Sequence, residues 1–181
     1  NKKVKVEKNA GGIEGLCVIE PAVHGDLRGY FMETYNQKDI EGAGLTMNFV
    51  QDNQSSSGKA VLRDLHYQKK YPQGKLIRVI RGTVFDVAVD IRTESATYGK
   101  WYGIVLSEEN KKQFYIPEGF AHGFLVLIEQ ADFCYKCTDF YHPDDERGIA
   151  WDDPTIHIAW PELDVPYRMS EKDKKWGRLG E

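Results

Sequence analysis

Short apolar runs alternate with polar turns along this chain, and the alternation predicts β-strands over most of its length. The separators are mostly clusters of Gly, Pro, Asn, Asp or Glu, which typically end strands. The polar stretch 36–44 is predicted to hold one short helix, and the charged tail 170–180 a second. Many short strands with little helix predict an all-β sandwich or barrel. The predicted strands span 15–20, 29–35, 62–68, 76–81, 83–92, 101–106, 113–116, 123–128 and 131–141.

The predicted strand 83–92 differs on its two faces. Val87 and Val89 share an apolar face with their neighbours, which is expected to lie in the core. Asp86 and Asp90 lie on the opposite face. Two carboxylates on one face indicate that it borders a polar cavity or solvent.

Size and charge exclude several classes of function. The 181 residues fit one domain, 1–181, with no repeat or linker. Because the net charge is −4, nothing draws the whole chain to nucleic acid or to an anionic membrane. The longest apolar run, 124–128, is too short to cross a bilayer, and the N-terminus lacks the apolar region of a secretory signal. Three cysteines are too few for a disulfide framework, so a cytoplasmic location is expected.

His66 is the first candidate for chemistry. It lies on a predicted strand between Arg63 and Lys75, close to the polar segment 51–53. A single histidine on a strand is more often structural. However, buried polar groups must be paired, so this concentration of them favours a proton-transfer site for an anionic substrate.

His122, in IPEGFAHGF, raises the possibility of a metal site of the cupin type. Such sites also need an H-x-H pair and a glutamate on an earlier strand, whereas here Asp64 precedes His66 by two residues. No metal is therefore expected.

Cys134 and Cys137 form a C-x-x-C pattern, but residues three apart on a strand point to opposite faces, so a redox or zinc function is not expected either. Tyr135 and Tyr141, six apart, are expected on one strand face.

Taken together, several long motifs closely resemble the dTDP-4-dehydrorhamnose 3,5-epimerase family. The resemblance runs from about residue 15 to 173. Its motifs are QDNQSSS, VLRDLHYQ, QGKLIRVIRGTVFDVAVDIR, YGKW, LSEENKKQFYIPEGFAHGFLVL, YKCTDFYHPDDERGIAWDDP and SEKD. It implies a cupin-like jelly roll that works as a homodimer without metal or organic cofactor. The implied reaction exchanges protons at C3 and C5 of a dTDP-4-keto sugar, on either side of the ketone, in dTDP-L-rhamnose biosynthesis.

The resemblance also implies a role for each of four residues. His66 would be the general base, and Asp173 its carboxylate partner. Tyr135 would donate a proton on the opposite face of the sugar, since a phenol is protonated at neutral pH. Lys75 would stabilise the enolate that develops at the ketone.

Further residues are implied to hold the substrate. Arg28, Arg63 and Lys172 would bind the diphosphate. Tyr141 would stack on thymine. The N-terminal strands of the family cross to the partner subunit, so Arg28 and Glu33 would serve the other site. The remaining substrate contacts would come from Glu33, Gln51, Asp52, Asn53, His122 and Glu146, with Asp86 orienting His122.

One residue departs from the family pattern R-G-L-H-Y-Q, since Asp64 stands where the glycine is expected. Asp64 would compete with Asp173 for His66, repel the diphosphate or point to solvent. The odd spacing of Arg63 and His66 predicts a local bulge, which glycine would suit better than aspartate. Activity is expected to be reduced but detectable relative to an Asp64→Gly variant.

Three alternatives remain open. The first is a single-carbon epimerase or a 3,4-ketoisomerase on a related nucleotide sugar. The second is a metal-dependent cupin, and the third a cupin that binds sugar without catalysis.

Overall fold

The computed structural model describes residues 4–181, and almost all of its regular structure is strand. One α-helix, α1, spans Gln37–Gly42, with Asn36 capping its first turn through a hydrogen bond from the Asp39 amide. Single 3₁₀ turns lie at Ala10–Gly12, Pro143–Asp145 and Asp173–Lys175. The strands are β1 Lys5–Lys8, β2 Cys17–Glu20, β3 Val23–Asp26, β4 Gly29–Met32, β5 Gln51–Gly58, β6 Leu62–Gln68, β7 Lys75–Arg81, β8 Thr83–Asp90, β9 Trp101–Ser107, β10 Gln113–Ile116, β11 Phe120–Val126, β12 Gln130–Cys137 and β13 Glu146–Gly148.

Two antiparallel sheets form a sandwich of the cupin-like jelly-roll type. One sheet has the order β1-β2-β10-β7-β12-β5 and the other β13-β6-β11-β8-β9, while β3 and β4 form a separate hairpin. The main core lies between the sheets, where Ile77 and Phe133 of the first pack with Ala88 and Phe124 of the second. The all-β prediction is confirmed.

Each sheet is also covered on its outer side. The five-stranded sheet packs Leu65 and Val89 against Ile156 and Leu179 of the C-terminal segment. The six-stranded sheet packs Ile19 and Leu76 against Ile40 of α1 and its neighbours. The C-terminal segment is therefore held against the strand that carries His66.

The predicted elements agree best with the structure where the chain alternates clearly. The strands 62–68 and 113–116 have the predicted bounds, and α1 falls inside 36–44. The strand predicted over 131–141 was too long: β12 ends at Cys137, so Tyr141 lies beyond it. The tail holds one 3₁₀ turn rather than a helix.

The carboxylate face of strand β8 was expected to border a polar cavity or solvent, and the structure excludes solvent. Asp86 and Asp90 are fully buried, and Val84 and Ala88 on the same face belong to the inter-sheet core. Buried carboxylates need partners. Asp90 is bonded by Arg92, Ser95 and Thr97, whereas Asp86 is bonded by His122.

The bulge predicted between Arg63 and His66 is present. His122 lies opposite His66 and Phe124 lies opposite Arg63, so one residue of β11 faces two of β6. Gly123 occupies the point of closest approach, since a Cβ there would lie 2.6 Å from the carbonyl oxygen of Arg63. Asp64 is not among the non-glycine residues with positive φ, so aspartate fits the bulge backbone, contrary to expectation.

The prediction that the N-terminus lacks a secretory signal partly concerns residues 1–3, which lie outside the described residues. Assigning residues 1–181 to one domain likewise stays a prediction. Within 4–181, no helix has the length and apolar character that a membrane crossing requires.

Candidate active site

His66 and Asp173 form a close pair between β6 and the C-terminal segment. The ring Nε2 lies 2.6 Å from Asp173 Oδ1. The imidazole is 29% exposed, whereas the carboxylate is 5% exposed. Burial has the largest single effect on Asp173 and raises its pKa, but the hydrogen bond and charge of His66, together with hydrogen bonds from Trp176 and the Asp64 backbone, bring the pKa below its ordinary value. The pairing places the proton of the neutral ring on Nε2 and leaves the lone pair on Nδ1.

Asp64 lies next to this pair and is completely buried. Its backbone NH donates to Asp173 Oδ2 at 3.4 Å, yet neither of its own carboxyl oxygens has a hydrogen-bond partner within residues 4–181. The backbone NH of Trp151 acts in the opposite direction to burial and lowers the pKa of Asp64, although it does not reach hydrogen-bond geometry. Burial, followed by the charge of Asp173, raises the pKa of Asp64 to about 8. Asp64 therefore does not point to solvent, and its burial favours the neutral carboxylic acid.

A second histidine–carboxylate pair lies beside the first. His122 is the sheet neighbour of His66, and its Nε2 lies 2.8 and 3.0 Å from the two oxygens of Asp86. Burial lowers the pKa of His122, against the opposing effect of Asp86, and raises the pKa of Asp86. This pair confirms the contact expected between them.

Tyr135 lies on β12, in the sheet that faces His66. Its ring packs against the inter-sheet core, and Lys75 Nζ lies 5.5 Å from the ring centroid. Burial, then the nearby Cys137, raises the pKa of the phenol. Burial also lowers the pKa of Lys75, with Cys137 and Asp86 opposing it. The structure thus places an acid and a cation across the sandwich from the His66–Asp173 pair.

A cavity of about 460 Å³ opens at this end of the sandwich. His66, Lys75 and His122 line it, together with the last residues of the chain, Leu179 to Glu181. Tyr135 and Asp173 are not in its lining. Access to the imidazole therefore comes from the cavity, whereas Asp173 supports the ring from the protein side.

The rim of the site joins four residues that the sequence singled out. Tyr141 donates its hydroxyl to Glu146 at 3.0 Å and its backbone NH to Gln51 at 3.1 Å. Glu146 also forms an ion pair with Lys172. Burial raises the pKa of Glu146, but Lys172 and His66 bring it below its ordinary value. These contacts connect the rim to the C-terminal segment that carries Asp173.

Strand β5 presents its polar residues to opposite faces. Asn53 pairs with Tyr135 across the sheet and accepts a hydrogen bond from Gln51 at 3.1 Å. Asp52 pairs instead with Lys136, the outward neighbour of Tyr135, at 3.0 Å. The structure therefore brings Gln51 and Asn53 to the Tyr135 side, but not Asp52. Arg63, which is exposed, donates to Ser57 at 3.2 Å on the same strand.

Arg28 and Glu33 lie apart from this cluster. Arg28 is in the turn of the β3–β4 hairpin, 91% exposed, with Asp26 as its ion-pair partner. Glu33 follows the hairpin and accepts a hydrogen bond from Asn36. Within the described chain, neither residue reaches the His66 cavity.

Metal-ligating groups do not converge in the part of the chain that the structure describes, where no cluster of three or more His, Cys, Asp or Glu side chains could hold an ion. The three cysteines are free thiols. Cys134 and Cys137 are sheet residues with no shared ligand geometry.

Comparison with known proteins agrees with this geometry. The sequence model of the family described as dTDP-4-dehydrorhamnose 3,5-epimerase matches residues 10–181. The chain belongs to this family. It is 55% identical to the dTDP-4-dehydrorhamnose 3,5-epimerase of Methanothermobacter thermautotrophicus over 170 residues, which cover 93% of this chain and 92% of the relative.

Solved structures of the epimerase family have the same fold. The 3,5-epimerase of Legionella pneumophila, in complex with dTDP-4-keto-L-rhamnose, superposes with a TM-score of 0.92 at 50% identity, covering 97% of this chain and 93% of that one. A 3'-monoepimerase of Streptomyces bikiniensis in complex with dTDP-quinovose gives a TM-score of 0.85 at 32% identity, covering 92% and 84%. The fold alone therefore does not determine how many carbons are inverted.

Proposed function

We propose that this chain epimerises C3 and C5 of dTDP-4-dehydro-6-deoxy-D-glucose, giving dTDP-4-dehydro-L-rhamnose for dTDP-L-rhamnose biosynthesis. Family membership supports the reaction class. The observation that carries the proposal is the placement of His66, paired with Asp173 of the C-terminal segment, on one sheet and of Tyr135 on the facing sheet, with Lys75 beside Tyr135. A reaction that removes a proton from one face and returns it to the other needs groups on both sides.

His66 is the base in this proposal. Protons on carbons beside a ketone are acidic because the carbanion delocalises onto the oxygen as an enolate. His66 accepts such a proton, and Asp173 stabilises the imidazolium that forms. The pKa of Asp173 is held low, so its carboxylate is charged and ready to do this.

Lys75 stabilises the enolate. Its ammonium is fixed beside the site before the reaction begins, so no reorganisation is needed when negative charge develops. A preorganised donor of this kind contributes about 3–4 kcal/mol to transition-state stability. Burial lowers the pKa of Lys75, which makes it a stronger hydrogen-bond donor than an exposed lysine.

Tyr135 returns the proton on the opposite face. Burial raises its pKa, so the phenol holds its proton throughout the neutral range. An enolate carbon is basic enough to take that proton, leaving a phenolate close to the ammonium of Lys75.

The nucleotide lies along the rim in this proposal. Tyr141 is half exposed and able to stack on thymine. Arg63 and Lys172 bind the diphosphate, with Glu146 holding Lys172 in place. Gln51, Asn53 and His122 are hydrogen-bonding groups for the sugar or base. Asp52 lies on the opposite face of β5, so it would contact the substrate only if the substrate also reached that face.

Arg28 and Glu33 support a further part of the proposal, a homodimer with exchanged N-terminal strands. Both lie at the β3–β4 hairpin, whose Leu27, Tyr30 and Phe31 are exposed. Large apolar side chains exposed together are typical of an interface. In the dimer, the hairpin would carry Arg28 and Glu33 to the partner subunit's cavity.

A cytoplasmic location also stays a prediction.

Incubation with dTDP-4-keto-6-deoxyglucose in D₂O tests the reaction. We expect deuterium at both C3 and C5, measured by NMR and mass spectrometry, and none with His66→Ala. Tyr135→Phe should fail to complete inversion while still exchanging a proton. Deuterium at one carbon would favour a single-carbon epimerase, and none would favour a sugar-binding cupin. Loss of exchange with a chelator would favour a metal-dependent cupin.

A further inference from the structure

Trp176 contacts the same carboxylate oxygen that pairs with His66. It lies three residues after Asp173, and its indole NH donates to Asp173 Oδ1 at 3.0 Å. The His66 ring meets this oxygen at 2.6 Å, and the two rings stand edge to face with centroids 6.0 Å apart. The indole thus contacts both members of the proton-transfer pair.

Gly148 leaves the space that the indole occupies. It lies opposite His66 in the sheet, and a Cβ there would lie 2.3 Å from the Trp176 ring. Its φ is not in the left-handed region, so the backbone does not itself require glycine. The missing side chain at position 148 is therefore what lets the indole pack against β13.

We infer that Trp176 is a positioning residue for the His66–Asp173 pair, an inference that rests on the proposed function. Its NH fixes the carboxylate in the plane that faces Nε2. It also stabilises the charged carboxylate and so makes it a weaker base toward His66. The other charged or titratable groups that face Asp173 are Asp64 on β6 and Lys172 in its own segment.

Trp176→Phe tests this, because it keeps a ring beside Gly148 and removes only the NH. We expect kcat to fall about ten-fold with KM little changed, the size expected for losing a hydrogen bond to a charged group. The acidic limb of the pH profile should move to higher pH, since the more basic carboxylate holds the proton on His66 more tightly. Trp160→Phe is the matched control, because it removes an indole NH bonded to the Trp151 carbonyl at 2.9 Å, away from Asp173. If the acidic limb of the pH profile is at the same pH in Trp176→Phe as in the unchanged protein, the inference is wrong.

Gly148→Ala adds a steric test. It should reproduce the loss seen with Trp176→Phe, because its Cβ displaces the indole. In a Trp176→Ala background, where the ring is gone, Gly148→Ala should have no further effect. An equal fall in both backgrounds would overturn the inference, since it would show that alanine acts independently of Trp176.

A measurement without substrate separates this inference from the proposed function. The indole NH proton resonance of Trp176 should move as the His66–Asp173 pair titrates. Asp173→Asn should abolish that movement, because the amide does not ionise. A resonance that does not respond to pH in the unchanged protein contradicts the role of Trp176, whatever the deuterium experiment gives.

Discussion

Two histidine–carboxylate pairs lie side by side in this protein, and they differ in almost everything except their chemistry. His66 and Asp173 are 107 residues apart and join a strand to the C-terminal segment. His122 and Asp86 lie on adjacent strands, β11 and β8, of one sheet. The first ring is 29% exposed at a cavity, whereas the second is 9% exposed. Both histidines line the cavity, but the first pair is the more exposed and can change charge at lower cost.

Burial explains the difference. Removing charge from water favours neutral forms, and the pKa values of His122 and Asp86 both shift in that direction. The pKa of Asp173 shifts the opposite way because its hydrogen bonds outweigh its burial. In the proposed function, the first pair forms the imidazolium, whereas the second forms part of the cavity wall. The same two residue types would then give a base in one setting and a neutral, buried pair in the other.

The largest expected effect separates the two histidines. His66→Ala should lower kcat/KM by about 10³-fold, within the range for a lost general base, and lower the free energy of unfolding only modestly, because Asp173 keeps hydrogen bonds from Trp176 and from the Asp64 backbone. His122→Ala should instead lower that free energy by about 2 kcal/mol or more, because Asp86 loses its buried partner. Steady-state kinetics and urea unfolding measure the two quantities. Greater destabilisation by His66→Ala than by His122→Ala would reverse the assignment.

A second, smaller effect separates the two carboxylates. Asp173→Asn should lower kcat by about 10²-fold, since the amide neither stabilises the imidazolium nor fixes the tautomer. Asp86→Asn keeps a hydrogen bond to a neutral His122 and should change kcat by less than about ten-fold. Kinetics over a range of pH are the measurement. Equal losses in the two variants would show that both pairs take part in proton transfer.

The strands that carry these pairs were predicted from the sequence more accurately than some others, for physical reasons. Strand β8 alternates clearly, and the predicted bounds of β6 and β8 agree with the structure with few errors. Strand β5 carries almost no apolar residue, so its polar run was not predicted as a strand, although β12 pairs with all of it. Strand bounds also fail at Tyr141, where aromatic residues continue past the end of the sheet.

The site was predictable where a motif carried it and not where only packing does. The pairing of His66 with Asp173 came from resemblance, because no local pattern connects residues so far apart. Trp176 was missed as a contact of Asp173, although its place three residues later, in a charged tail, is the one available signal. The burial of Asp64 was also unpredictable, since it depends on the bulge and on the C-terminal segment that covers it.

Asp64 gives the third test of the comparison, because it places a buried acid without a hydrogen-bond partner in residues 4–181 beside the His66–Asp173 pair. Its pKa rises from 3.8 to about 8 on folding. Protonation of the folded state is then favoured, so the stability that the neutral acid contributes is complete below pH 4 and is lost as pH rises toward 8. Asp64→Asn should therefore match the unchanged protein at low pH. At pH 8 it should be more stable by about 5 kcal/mol, since the pKa shift of about four units corresponds to about 1.4 kcal/mol per unit and the folded-state acid is half titrated there. Urea unfolding across this range measures the difference, and parallel curves would contradict it.

The same residue should have the smallest effect on activity, and that effect should depend on pH. At pH 7 the neutral form of Asp64 is favoured and has little electrostatic effect on Asp173. The kcat of Asp64→Gly should therefore be only a few-fold higher than that of the unchanged protein. Above pH 8 the acid ionises beside Asp173, and two adjacent carboxylates hold the His66 proton more tightly. The advantage of Asp64→Gly should then grow. Asp132→Gly, at an exposed carboxylate bonded to Ser56, controls for the loss of one charge elsewhere. Equal turnover of Asp64→Gly and the unchanged protein at every pH would show that this acid does not influence the active pair.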